Sequence, residues 1–194
     1  MKSSSSNRFV LVLLASTGLV SLTACAQTGE HNHSVAIPAS VASPYAGEQT
    51  REIKALSKSD VNNLMGGAGM GFAKAAELNG YPGPMHVLEL ARPMRLTEEQ
   101  RVATEKLLKE HKREARELGA QIVALERQLD ASFASKSISD PKLAALTNDI
   151  VTLQGKLRNA HLQTHLRQTA LLQPDQVDAY QSLRGYVTSD RTSH

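Results

Sequence analysis

Two histidines spaced four residues apart are the residues of this sequence best suited to binding a metal. They are His161 and His165, in the segment HLQTH. If the segment is helical, this spacing places both imidazoles on one face, where both can reach one ion. Position 162 is leucine, so the glutamate that serves as general base in the HExxH motif of metalloproteases is missing. The segment therefore predicts metal binding without proteolysis.

Two long helices are expected to position these histidines. Side chains suited to a helix interface recur at alternating intervals of three and four residues along two segments. The first stripe is Leu108, His111, Ala115, Leu118, Ile122, Leu125 and Leu129. The second stripe is Leu143, Leu146, Ile150, Leu153, Leu157, Ala160 and Thr164. Residues 131–140 interrupt the pattern, and each stripe would be exposed on an isolated helix, so we predict an antiparallel helical hairpin.

A register for the hairpin follows if Leu129 faces Leu143. The same register places His111 opposite His161, and His111 occupies a stripe position where an apolar side chain is expected. We therefore predict that His111, His161 and His165 form one site for a divalent metal such as zinc, near the middle of the hairpin. No other cofactor is expected.

The charges around the second stripe support a different interpretation of the histidines. No Asp or Glu occurs between Val151 and Leu172, and a cationic environment disfavours a dication. Buried interface histidines without a metal are the alternative. A carboxylate ligand would have to come from across the hairpin, from Glu110 or Glu114, and His86 could approach from the preceding helix.

The same acid-free stretch predicts a second kind of binding surface. Its basic and apolar side chains could hold unfolded protein chains, first by charge and then by apolar contact. The predicted client-binding residues are Lys156, Arg158, Leu162, Leu166 and Arg167. Alternatively, Leu162 and Leu166 pack against the final helix or against a second copy of the chain.

The first 24 residues have the pattern of an export signal. Two basic residues precede an apolar run over residues 9–20, which is short for a membrane-spanning helix. The run leads to Cys25, the only cysteine, in a sequence LTAC that resembles a bacterial lipobox. We predict a lipoprotein signal peptide over residues 1–24 and a lipid anchor on Cys25, facing the periplasm. Because Ala26 follows, sorting to the outer membrane is expected; an ordinary secretory signal is the alternative.

A tether and a helical domain follow the predicted anchor. Residues 25–49 are rich in Ser, Ala, His, Pro and Gly without periodicity, which predicts a flexible tether. His31 and His33 within it are interpreted as part of a solvated linker, with a loose metal-binding tail as the alternative. Residues 50–188 are predicted to form one helical domain, in which short helices flank the hairpin.

Glycine and proline divide the region before the hairpin into short helices. Ser59 is predicted to cap a helix that ends at Leu64, residues 70–78 are predicted to be helical, and Pro84 suits the first position of another helix. The glycine-rich segment GGAGMG, residues 66–71, is not a phosphate-binding loop, because no strand precedes it and no Gly-Lys-Ser/Thr follows.

Composition excludes several classes of function. Removal of residues 1–24 leaves 20 basic and 19 acidic residues, a net charge of +1 that gives no support for nucleic-acid binding. A single cysteine allows no disulfide within the chain. No nucleophile lies in a recognisable pattern with a base, so we expect no enzyme. The aromatic content of 4% and the absence of alternating strand-like segments predict an all-α fold.

Two similar segments flank the predicted hairpin, LTEEQ at residues 96–100 and LQPDQ at residues 172–176. The motif residues are Leu96, Thr97 and Gln100 in the first copy and Leu172, Pro174 and Gln176 in the second. Gln173 replaces the capping threonine, which should weaken the second helix start by up to about 1 kcal/mol. With two such segments around a helical hairpin, the chain resembles the Spy/CpxP family of periplasmic proteins over residues 84–186.

The resemblance implies an ATP-independent chaperone or envelope-stress accessory protein that binds unfolded or misfolded envelope proteins. Members are usually dimers with a concave face, so a homodimer is implied, and some relatives sense or bind divalent metals. The predicted lipid anchor departs from the soluble founding members. A periplasmic chaperone is thus our main prediction, a metal-binding sensor or buffer that uses the three histidines is the alternative, and a purely structural envelope lipoprotein comes third.

Overall fold

The computed structural model describes residues 41–187. The predicted signal peptide, Cys25, His31 and His33 lie outside the described residues. The described part is all-α and contains no strand, which confirms the predicted fold class. Its helices are α1 Lys58–Gly66, α2 Lys74–Glu77, α3 Pro84–Glu89, α4 Glu98–Ala134, α5 Asp140–Ala170 and α6 Pro174–Leu183. None of these helices combines the length and the apolar character that crossing a membrane requires.

The two long helices α4 and α5 pack against each other as an antiparallel hairpin. Two hydrogen bonds between the helices set the register. Gln168 donates to Thr104 Oγ1 over 3.1 Å, and the rings of His111 and His161 are hydrogen-bonded over 3.0 Å. Both pairs lie on the predicted register, so the expected juxtaposition of His111 and His161 is confirmed.

The predicted stripes form most of the interface, but α4 buries a second row of side chains as well. From the first stripe His111, Ala115 and Ile122 are buried, while its leucines are half-buried. The additional buried residues of α4 are Thr104, Leu107, Gly119, Val123 and Ser132. The reason is that α1 and α3 also pack against α4, so more than one face of α4 is covered. In α5 the second stripe is buried except for Leu143 and Leu153, which are half-buried.

Gly119 is where α1 comes closest to the hairpin. A Cβ atom at this position would lie 2.2 Å from the carbonyl oxygen of Leu64. Because that atom belongs to the backbone, it cannot move aside cheaply. A glycine within a long helix is unfavourable by about 1 kcal/mol relative to alanine, and here the close approach of α1 accounts for it.

The short helices differ from the sequence-based prediction in their bounds. Ser57, rather than Ser59, caps α1, since its hydroxyl accepts from the N–H of Asp60 and the Asp60 carboxylate accepts from the N–H of Ser57. The helix expected over residues 70–78 is reduced to α2, because Met70 and Gly71 have φ angles of 45° and 76°, which do not fit a right-handed helix. Pro84 occupies the first turn of α3, as predicted.

Candidate metal site

A cavity of about 500 Å³ collects four of the histidines. We call it the histidine cavity. The glycine-rich segment of residues 66–71 forms one wall, and side chains from α2, α3, α4 and α5 form the others. Its histidines are His86, His111, His161 and His165. All three residues predicted to bind a metal therefore face one cavity.

The His111–His161 pair lies at the inner wall of the histidine cavity. His111 Nε2 and His161 Nδ1 are 3.0 Å apart, and the side chains keep only 9% and 4% of their exposure. Phe72 stacks on the ring of His161, with ring centroids 5.5 Å apart. Packing and the mutual hydrogen bond thus restrain both imidazoles, so neither can reorient without losing contacts.

One nitrogen of each ring in this pair has no partner. Within residues 41–187, no hydrogen-bond partner reaches His111 Nδ1 or His161 Nε2. Burial lowers the pKa of His111, and burial with the nearby His111 and His165 lowers the pKa of His161 to about 4. Both rings are therefore neutral at neutral pH. Whichever ring donates the shared hydrogen bond, one unpartnered nitrogen then carries a lone pair, which is the form that binds metals.

His165 is oriented by a backbone carbonyl. Its Nδ1 lies 2.7 Å from the carbonyl oxygen of Tyr81, so Nδ1–H donates, and in the neutral ring Nε2 is the nitrogen with the lone pair. A hydrogen bond from the second nitrogen to a carbonyl is the usual arrangement of metal-binding histidines. The close approach requires glycine at position 83, because a Cβ atom there would lie 2.9 Å from His165 Cε1.

Glu77 is the acidic residue of the cavity, and it connects the cavity to the C-terminal segment. Its Oε1 accepts hydrogen bonds from Tyr180 over 2.5 Å and from Tyr186 over 3.0 Å, while Oε2 lies 3.7 Å from His165 Nδ1. Burial and the bond to Glu77 raise the pKa of Tyr180, which keeps the phenol protonated as a donor. The segment ELNGYPGP, residues 77–84, thus supplies Glu77, the Tyr81 carbonyl and Gly83 to the site.

Glu77 was not predicted to take part in the site. The two carboxylates that were considered as ligands, Glu110 and Glu114, are exposed and do not line the histidine cavity. That interpretation was wrong, because α4 turns both side chains away from α5. His86, which was considered as a contributor, does line the cavity, and its Nδ1 lies 2.9 Å from Glu89 Oε2.

Cationic side chains outnumber acidic ones around the cavity. Lys74, Lys112 and Arg184 line it together with Glu77. Arg184 Nε lies 3.6 Å from Glu77 Oε1, so the one carboxylate is already shared. The part of the chain that the structure describes contains no group of three or more His, Cys, Asp or Glu side chains placed to hold one metal ion. The protein by itself thus presents few donors, in a cationic environment.

The predicted client-binding residues lie along α5, away from its interface with α4. Lys156, Arg158 and Arg167 are exposed, Leu162 is half-buried, and Leu166 keeps 47% of its exposure. Val151, on the same helix, keeps 65%. This surface is therefore both basic and partly apolar.

The two flanking motifs are joined by a pair of glutamines, which we call the glutamine pair. Gln100 Nε2 donates to Gln176 Oε1 over 2.8 Å, and Gln176 Nε2 donates to Gln100 Oε1 over 2.9 Å. Each Oε1 also accepts from the backbone at the start of its own helix, from Thr97 and from Gln173. Leu172 is buried beside Tyr180, and Pro174 begins α6. The repeated motif therefore fastens α6 to the start of α4.

Comparison with known proteins gives one match. A family model described as heavy-metal resistance matches residues 61–179. The match covers more than half of the chain, begins within α1 and ends within α6. The matched family is helical and related to Spy/CpxP-like proteins. No curated protein and no solved structure matches the chain.

Proposed function

The chain belongs to the heavy-metal resistance family, and we therefore propose that the histidine cavity binds a transition-metal ion, as a sensor or buffer of metal in the cell envelope. The observation that carries the proposal is the pair of buried, neutral histidines that line the cavity, each with a ring nitrogen that no described residue bonds. A buried polar atom without a partner is unfavourable by about 1–3 kcal/mol, so a bound group that bonds these nitrogens would be stabilised by them.

We assign the ligand roles within the predicted trio as follows. His161 and His165 lie four residues apart on α5, and each uses Nδ1 in a hydrogen bond. If His161 Nδ1–H donates to His111, and His165 is in its neutral form, both of these cavity-lining residues carry a lone pair on Nε2. His111 is then a positioning residue. It accepts the hydrogen bond from His161 Nδ1–H and so fixes the orientation of the His161 ring, as the acceptor behind a metal-bound histidine usually does. Neutral imidazoles favour zinc, nickel, cobalt or copper over magnesium or calcium.

The location and the absence of catalysis belong to the same proposal. The export signal over residues 1–24 and Cys25 in its lipobox-like context support a lipid-anchored protein that faces the periplasm, sorted to the outer membrane. A sensor or buffer needs reversible binding and no reaction, so we propose a protein without enzymatic activity. Metal held in this way is cargo and not a cofactor of catalysis.

A titration of the full chain with zinc or nickel tests the proposed site. We expect saturable binding that His161→Ala weakens by at least tenfold, since one of two protein donors is removed. His31→Ala with His33→Ala is the matched control, because it removes two histidines of the predicted tether. Unchanged affinity in His161→Ala, or loss of binding in the tether variant alone, would refute the site.

A second candidate function, a chaperone for unfolded envelope proteins, is favoured by the exposed surface of α5. No acidic residue interrupts residues 151–172, and Leu166 and Val151 are exposed on the same helix as Lys156 and Arg158. Suppression of aggregation of a chemically unfolded client, measured without metal, tests this function. Suppression that Leu166→Ser reduces would support it, and aggregation at the same rate with and without the protein would refute it.

A further inference from the structure

The histidine cavity is much larger than a metal ion. Its volume is about 500 Å³, whereas a water molecule takes up about 30 Å³ in the liquid. Cavities of roughly 300–1,000 Å³ are typical of sites for small organic molecules. An ion bound at the histidines would therefore leave most of this space for something else.

The excess of positive charge around the cavity disfavours the binding of a dication by itself. Lys74, Lys112 and Arg184 face it, and Glu77 is the carboxylate among its lining residues. Glu77 Oε1 already accepts from Tyr180 and Tyr186. A metal bound by neutral histidines adds two positive charges to these three cations, and the single carboxylate in the wall, which already lies 3.6 Å from Arg184, cannot balance them all. An anion that enters with the metal would remove this repulsion.

The donors in the cavity also leave the coordination of a metal incomplete. Within the described residues, no three His, Cys, Asp or Glu side chains are placed to hold one ion. The two bare nitrogens assigned to His161 and His165 would supply two donors, whereas transition metals take four to six. The remaining positions must be filled by water or by another molecule.

From volume, charge and donor number together, we propose that the cavity binds the metal as a complex with a small chelating carboxylate. Carboxylate oxygens fill the open positions of the metal, and the remaining carboxylates bind Lys112 and Lys74 by charge-assisted hydrogen bonds. The ligand is then a metal chelate carrying negative charge. This inference rests on the proposed metal site and specifies its substrate class.

Equilibrium dialysis of the full chain against zinc and radiolabelled citrate tests the inference. Free zinc is buffered at one concentration, so that citrate cannot act merely by removing zinc from solution. We expect citrate to be retained only when zinc is present. At the same free zinc, we expect citrate to tighten zinc binding by about tenfold or more, the effect of one charge-assisted hydrogen bond.

Two lysine variants and a matched control complete the experiment. Lys112→Gln should abolish the tightening by citrate and leave the binding of zinc alone intact or stronger. Lys74→Gln repeats the test at an exposed side chain, where substitution leaves no buried cavity. Lys109→Gln, on the exposed side of α4 and outside the histidine cavity, should behave like the unmodified chain.

The outcomes separate this inference from the proposed function. Zinc bound through His161 without retention of citrate overturns the chelate and leaves the metal site standing. Retention of citrate without zinc also overturns it, since the cavity would then be an anion site. If neither zinc nor its citrate complex is bound, both proposals are wrong. If citrate tightens zinc binding as much in Lys112→Gln and in Lys74→Gln as in the unmodified chain, the assigned contacts are wrong.

Discussion

Two polar side-chain pairs join distant parts of this chain, and they differ in how fully their hydrogen bonds are satisfied. In the glutamine pair, Gln100 and Gln176 donate to each other and also bind the backbone of Leu171 and Arg95. In the histidine pair, His111 and His161 share one hydrogen bond, and each keeps a second nitrogen that no described residue reaches. His111, His161 and Gln176 are buried, and Gln100 is half-buried.

The difference separates a structural polar pair from a candidate binding site. A fully hydrogen-bonded pair fixes the relation between two helices and has no capacity left for a ligand. An incompletely bonded pair beside a cavity destabilises the empty protein and can be satisfied by something that enters. Each pair contains buried polar side chains, so burial alone would not have shown which pair could take a ligand.

The largest expected effect is the loss of the glutamine pair. In Gln100→Leu with Gln176→Leu, the backbone groups of Thr97, Gln173, Leu171 and Arg95 lose their side-chain partners. At about 1 kcal/mol each, the free energy of unfolding should fall by on the order of 4 kcal/mol. Denaturant unfolding measures it. The zinc affinity of the folded variant should be unchanged. A selective loss of zinc binding would show that the glutamine pair is not purely structural.

The next effect is a dependence of stability on pH that comes from the histidine pair. The pKa of His161 is about 4 in the folded protein against an ordinary value of 6.5. The unfolded chain therefore binds a proton that the folded chain does not between these values. Stability from this residue is complete above pH 6.5 and falls as the pH drops toward 4, by about 3 kcal/mol.

The unfolding free energy of the metal-free chain across this pH range measures the effect. Carboxylates also titrate in acid, so the difference between the unmodified chain and His111→Leu with His161→Leu isolates the contribution of the pair. Equal slopes for the two proteins would contradict the lowered pKa.

The smallest effect, and the one of opposite sign, is expected from His111→Leu with His161→Leu at neutral pH. Among residues 41–187, no third group is hydrogen-bonded to the rings of this pair, and the variant removes two unpartnered buried nitrogens. Stability should stay the same or rise by about 1 kcal/mol, while zinc binding is lost. A loss of stability as large as that of the glutamine variant would show that the histidine pair is structural too.

Much of the hairpin could be predicted from the sequence, because its determinants are periodic or local. Thr97 and Gln100 form a capping box, in which each side chain accepts from the backbone N–H of the other residue. This box and the two stripes predict where α4 begins and which faces meet. The register then placed His111 opposite His161. The second buried row of α4 escaped prediction, although Gly119 within a long helix was a usable signal.

The cavity could be predicted only in part. His161 and His165 follow from their spacing, but Glu77, Tyr81 and Gly83 come from a segment without periodicity. Their positions depend on turns, such as the left-handed φ angle of 87° at Gly80, that no repeating pattern specifies. The proline and glycine content of residues 77–84 was the one available hint of a constrained segment.

The sequence by itself determined the two long helices and the register of α4 against α5, since apolar periodicity and helix caps act over a few residues. Only the tertiary structure decided which nitrogens of the histidines are bonded and which are left without a partner beside a cavity. Hydrogen bonds are directional and short, so they depend on where side chains and carbonyls from separate segments finally lie. The burial of apolar side chains tolerates small shifts in these positions, whereas ligand binding through directional bonds does not.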